Sequence, residues 1–241
     1  IASCLVGSEM CIRDSILSNK TIIDEKTHFS FPQIIHFDER YYILPETCAK
    51  GRLSLYKCVK FPWEWKEEIV ILNEPCIDSV LYFNNNFWHL LYSKASQGHK
   101  LFLRVNDKLK SGWEESNELL INSNPYNSQN GGQLIDIKNE VYRISQNCSK
   151  LYGESIVINK VDELSCVNYN ETIIKEISLK SRSVSCCHTL NRCGDITLID
   201  RRRERLFLKS FSQIIQSLTI KLRAITIAKN HSQSNRNSDN F

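Results

Sequence analysis

The sequence predicts an all-β fold assembled from four-stranded antiparallel units, the arrangement of β-propeller blades. Three observations point there. A strand–turn–strand pattern, apolar and aromatic on both sides of a short polar turn, occurs at residues 31–46 (FPQIIHFDERYYILPE), 78–92 (DSVLYFNNNFWHLLY) and 132–146 (GQLIDIKNEVYRISQ). Each hairpin is followed by two more strand-like runs, so the whole unit returns at a period of roughly 45 to 55 residues. The inner strands are apolar nearly throughout, as expected where neighbours cover both faces of a sheet. A β-sandwich explains strands and turns, but not a recurring four-strand order with a tryptophan, Trp65 and then Trp113, at the same station.

Taken in order, residues 1–15 stand apart. The string CLVGSEMCIRDS has neither helical nor strand periodicity. It resembles translated sequencing-adapter read-through, so it is set aside as an artefact. The native start is then expected upstream, and a signal peptide there stays open. Residues 20–24 (KTIID) read as the last strand of a preceding unit. The first full unit has strands at 33–37, 41–44, 53–59 and 68–72, with an aromatic turn at 61–65. The second has strands at 80–83, 87–92, 101–105 and 118–121. The third, looser, has them at 134–137, 141–144, 155–161 and 172–177. A fourth begins near Ser183, with strands at 185–190 and 195–200. From 206 to 229, Phe207, Phe211, Ile214, Leu218, Leu222 and Ile225 recur at three- and four-residue steps among basic residues, a basic amphipathic helical pattern. A helix on the propeller flank or a strand closing the last unit are its plain readings, and membrane-surface contact its sharper one. The polar tail after Asn230 reads as disordered.

Bulk properties narrow the function classes. Of 241 residues, 41% are hydrophobic and 10% aromatic, which suits a packed core. A net charge of +4, with basic residues dispersed until the C-terminal segment, gives no nucleic-acid signature. No apolar run is long enough for a transmembrane helix. The expected location is cytoplasmic. The cysteines form no CxxC pair and no disulfide rhythm, and read as reduced, buried thiols. Cys186-Cys187-His188 with Cys193 is half of a zinc pattern without its second half, so no metal and no cofactor are expected.

The ordered set SFPQIIHFDERYYILPET, DSVLYFNNNFWHLLYS, YRISQNCSKLYGESI and HTLNRCGDITLID resembles the N-terminal domain family of glucosamine inositolphosphorylceramide transferase and its stand-alone bacterial relatives, over about residues 21–207. The resemblance implies a five-bladed propeller related to furanosidases and β-fructosidases. On that comparison the chain, N-terminally truncated, holds one strand of the first blade, blades two to four and part of the fifth over residues 16–207, followed by the 208–241 tail. The family's first-blade Ala-Asp-Pro-Phe-like motif and acidic residue are not found here. The sugar-transfer activity of the fused plant proteins is attributed to a separate glycosyltransferase domain, so it does not come with the resemblance. A partner transferase domain is instead implied.

In a propeller, polar residues at inner strand ends line the central funnel. Glu46, Asp78 and His188 are the candidate catalytic residues, and Gln146, Asn147 and Tyr152 the candidate substrate contacts. Glu154 is weaker. Glu46 and Asp78 suit the carboxyl pair needed for glycoside cleavage or transfer. Each also has a plainer role: a solvated loop carboxylate for Glu46, a turn cap for Asp78, ring-stabilising bonds for Gln146 and Asn147, a structural histidine for His188. Two functions follow: a glycan-active enzyme, or a non-catalytic module that binds a sugar, glycan or nucleotide-sugar between aromatic walls (Tyr42, Trp88, Tyr142). Carboxyls ~5 to 9 Å apart in one pocket favour the enzyme; buried or divergent ones favour binding or a structural role.

Overall fold

A computed structural model describes residues 20–179 and 184–203. The artefact assigned to 1–15 and the amphipathic segment at 206–229 lie outside the described residues. What is described is β-structure, with one short 3-10 turn at Cys48–Lys50.

Two four-stranded antiparallel sheets come first, each in simple sequence order. The first holds β1 (Ser30–Phe37), β2 (Arg40–Glu46), β3 (Leu53–Lys60) and β4 (Glu64–Leu72). The second holds β5 (Cys76–Asn84), β6 (Phe87–Lys94), β7 (Leu101–Asn106) and β8 (Glu118–Asn122). The third sheet splits its inner strand into β9 (Gln129–Asn130) and β10 (Ile135–Ile137), both on β11 (Glu140–Asn147), and continues through β12 (Ser155–Leu164) and β13 (Tyr169–Ile177). Beyond it lie β14 (Val184–Cys186), β15 (Leu190–Cys193) and β16 (Ile196–Ile199), the last two forming a hairpin.

Local chemistry explains the hairpins. The turn pairs Asp38-Glu39, Asn85-Asn86 and Lys138-Asn139 all have positive φ at both residues. That is the type I′ turn, whose twist matches that of the flanking strands, and Asn and Asp tolerate it better than most residues. Packing explains the apolar inner strands. On β6, Trp88, Leu90 and Tyr92 join Tyr42, Leu44 and Leu55 of the first sheet in one core. The alternate residue Leu91 joins Val80 and Leu103 in a second core, against Leu134 and Val141 of the third sheet. A third core joins Ile144 and Ile156 to Cys187 and Leu190. The second and third sheets are thus buried on both faces by their neighbours.

Three expectations need correction. Residues 20–24 are irregular; Glu25 just beyond them accepts a hydrogen bond from Tyr56 at 2.7 Å. The tryptophans are not equivalent. Trp65 sits half-buried on β4, whereas Trp113 is buried in the loop before β8, its indole N–H donating to the Leu109 carbonyl at 2.8 Å. The strand expected at 185–190 breaks at 187–189, because two of its amides are taken by a side chain, Asp200.

All three inner strands kink at corresponding places. Pairing slips between Ser30 and Gln33 on β1 and between Ile77 and Val80 on β5, and Gly131-Gly132 separates β9 from β10. Phe31 and Asp78 have φ of 43° and 50° there. Such bulges re-aim a side chain.

Candidate functional site

The kinks bring strand-end residues of different sheets together. Glu46 ends β2, and its carboxylate bridges two elements. One oxygen accepts the Ser30 hydroxyl at 3.0 Å and the other the main-chain N–H of Asp78 at 3.2 Å. Asp78 itself is 7% exposed. Its carboxyl is pushed up to about 7, first by burial and then by the Glu46 carboxylate; His188 and a hydrogen bond from Gln146 act in the opposite direction. Gln146 is fully buried on β11, with its amide also donating to the Asn130 carbonyl at 2.7 Å.

The other wall comes from the broken strand. Asp200 accepts the N–H groups of His188 and Thr189 at 2.9 and 2.6 Å and makes a short contact to Nδ1 of His188. The hydrogen bond to Asp200 holds the His188 imidazole above its ordinary pKa, against the effect of burial. Burial alone would raise the Asp200 carboxyl, but the bonds from His188 and the Thr189 amide bring it below its ordinary range. The contact to Asp200 fixes the ring. Tyr152 packs on that ring, with centroids 5.4 Å apart, and is 62% exposed. Burial and the nearby Asp78 push its hydroxyl up to about 12.

Glycines allow the close approach. Gly153 has φ of 63°, and a Cβ there would lie 2.6 Å from the Cβ of His188. At Gly132 a Cβ would lie 2.0 Å from the Leu190 carbonyl oxygen. Side chains at either place would push the 187–190 segment off the third sheet.

Of the sequence-derived candidates, Glu46, Asp78, Gln146, Tyr152 and His188 gather in one place, and Asn147 does not join them. Its amide donates to Glu176 at 3.2 Å and its carbonyl oxygen caps the following turn through Ser149. Glu154 is buried just before β12, with its N–H on the Asn147 carbonyl at 2.9 Å. The aromatic walls are also corrected: Tyr42 and Trp88 are buried in the first core, and Tyr142 bonds Glu140 near the hairpin turn, at the opposite end of β11 from Gln146. Sequence reasoning missed Asp200, Ser30 and Asn130. The signal for Asp200 was the hairpin register: pairing Leu190 with Ile199 around Gly194 sets Thr189 and His188 beside it. Among the described residues no three His, Cys, Asp or Glu side chains gather to hold a metal ion, and none of the helices described is long and apolar enough to cross a membrane. Cys187 faces the third core, with its thiol directed at the Ile177 carbonyl.

The comparisons with known proteins agree on family and fold. Residues 17–190 match the family described as glucosamine inositolphosphorylceramide transferase 1, N-terminal. Proteins of that name from Oryza sativa subsp. indica and Arabidopsis thaliana are each 30% identical over 156 residues, covering 62% of this chain. The match spans only 21% and 20% of those relatives' length. Among solved structures, a Bacillus subtilis arabinanase aligns with a TM-score of 0.51 at 14% identity, over 73% of this chain and 67% of that one. An exo-β-1,3-galactanase from Phanerochaete chrysosporium, crystallised with galactose, aligns with a TM-score of 0.52 at 9% identity, over 80% of this chain and 48% of that one. Both neighbours are propeller glycosidases, and at such identity the likeness speaks for the fold alone. With the family match covering most of its length, the chain belongs to the family of the N-terminal domain of glucosamine inositolphosphorylceramide transferase 1.

Proposed function

We propose that this chain is a carbohydrate-recognition propeller that binds a sugar, glycan or nucleotide-sugar at the Glu46–Asp78–Tyr152–His188 cluster and serves a separate transferase domain. The supporting observation is the exposed Tyr152 ring packed at a tilt against a histidine that Asp200 holds in place, beside two carboxyl groups. Sugars present apolar C–H faces to aromatic rings and hydroxyls to carboxylates, so a ring and carboxyls together suit them. In this reading the sheets are blades of a five-bladed ring.

A second reading, glycan cleavage or transfer, draws on one observation. A carboxyl pushed up to about 7 is matched to general-acid work near neutrality. Against it, the Glu46 carboxylate that would have to act as base or nucleophile is engaged by Ser30 and the Asp78 amide. Calorimetric titration with glucosamine, arabino- and galacto-oligosaccharides and a sugar nucleotide separates the two. Saturable binding without product is expected, and Tyr152→Ala should weaken it about tenfold, ~1.4 kcal/mol. Release of reducing sugar that is abolished in Glu46→Gln would replace the binding reading with the enzymatic one.

A further inference from the structure

Behind the site lies a buried chain of hydrogen bonds. It starts at Arg143 in the middle of β11, whose side chain is 0% exposed. Each of its three guanidinium nitrogens has a partner. Nε donates to Glu171 at 2.8 Å and Tyr169 at 3.1 Å, and Nη2 to Glu171 and the Asn127 carbonyl, both at 2.6 Å. Nη1 reaches the side-chain oxygen of Asn130 at 3.2 Å.

Asn130 passes the connection on. Its amide nitrogen donates to the main-chain carbonyls of Asp78 at 2.8 Å and Leu91 at 3.1 Å. Its own main-chain carbonyl accepts the Gln146 amide at 2.7 Å. The kink at Asp78 interrupts the β5–β6 register, and the Asn130 amide supplies a donor to the Asp78 carbonyl there. Position 130 thus needs one acceptor facing the guanidinium and two donors facing the neighbouring sheet, a demand that a carboxamide meets. A buried carbonyl left without a donor would be costly.

We propose that Arg143 and Asn130 are positioning residues for Asp78: the guanidinium orients the Asn130 amide, which holds the kinked main chain of Asp78 and so sets the place of its carboxyl. The proposal rests on the reading above that Asp78 belongs to the ligand site, and it adds what sets that side chain's place. The titratable groups around the Asp78 carboxyl are Glu46 from the end of β2, Cys148 and Tyr152 from the β11–β12 turn, and His188 from the segment after β14. None of them lies on the strut, so its effect can be read separately from theirs.

The test follows the Asp78 carboxyl by carbon-13 NMR across pH in the full chain, assigned with Asp78→Asn, in parallel with thermal melting. In Asn130→Leu the kink loses its donors and water gains access to the carboxyl. Its midpoint should fall by about one pH unit or more, a tenfold change in proton affinity. Arg143→Lys keeps a charge beside Glu171 but cannot also span Asn127 and Asn130, and should shift the midpoint the same way by less. Lower melting temperatures with an unmoved midpoint in both variants would overturn the proposal and leave the network as fold support. If Asn130→Leu fails to fold, Arg143→Lys decides alone, and an unmoved midpoint there overturns it. A shifted midpoint in a protein whose wild type binds none of the sugars tested would uphold the strut and sink the recognition reading.

Discussion

The first and third sheets carry the same trio of side chains and use it differently. In each, a glutamate on the outermost strand meets a cation and a tyrosine. Glu67 on β4 pairs with Lys50 and Arg52, and Lys50 also contacts Tyr56. Glu171 on β13 pairs with Arg143 and Tyr169. The second sheet repeats the theme with Glu118, Arg104 and Tyr92. In the first sheet the cations come from the turn before β3, and Glu67 and Arg52 keep 27% and 38% of their side chains exposed. In the third the cation stands on a central strand, and Arg143 and Glu171 are 0% and 8% exposed. Water shares the Glu67 and Arg52 charges of the first trio, with Lys50 at 12% exposure, and is excluded from the second. One tethers a surface turn; the other must be satisfied completely, and its spare donors reach the candidate site. Similar chemistry becomes a different device when the cation moves from a turn to a strand interior.

That comparison can be broken most sharply at Arg143. Arg143→Met leaves Glu171 buried without its partner and should cost about 3–5 kcal/mol in urea unfolding. Replacing Glu171 by Leu in the same protein should recover much of the loss, because a buried pair replaced whole by apolar groups is often neutral.

The next effect contrasts a compensated carboxyl with an uncompensated one. Burial would raise Glu171, but the Arg143 charge and bonds bring it below its ordinary pKa. Its stabilising contribution is therefore present above its unfolded value and lost as pH falls through the folded one. Asp78 runs the other way. Its pKa rises from 3.8 to about 7 on folding, so its contribution is full below pH 3.8 and lost as pH rises through about 7. Asp78→Asn should flatten stability across that window and be the more stable protein above pH 7, by an amount on the order of a few kcal/mol. Parallel pH–stability curves for wild type and variant would break the contrast.

Smallest is the solvated trio. Glu67→Gln should cost about 1 kcal/mol or less, and that loss should shrink in high salt, whereas the Arg143 effect should not. Equal costs at the two sites would show that burial does not separate them.

Much of the fold was legible because its causes are local. Positive-φ turn pairs, alternating runs and the unit spacing are written in adjacent residues, and they marked the hairpins, including the strand ends that carry Glu46 and Asp78. The candidate site was legible in part. Gln146 and Asn147 are neighbours with equal claims on paper, yet alternation sends one toward Asp78 and the other to Glu176. His188 was visible as a residue type, but the hydrogen bonds that make Asp200 its partner required a strand to break.

By itself the sequence determined the repeated strand order, the turns and the strand-end polar residues, because backbone preference and pattern act over a few residues. The tertiary structure decided which faces meet. Tyr42 and Trp88 became core because the first two sheets stack through them, and Trp65 and Trp113 parted because one lies on a strand and the other in a loop. Arg143 became a buried strut because Tyr169 and Glu171 of β13 and Asn127 and Asn130 from the chain before β11 surround its guanidinium. Burial and partnership depend on contacts between units distant in sequence, and no short stretch of chain contains them.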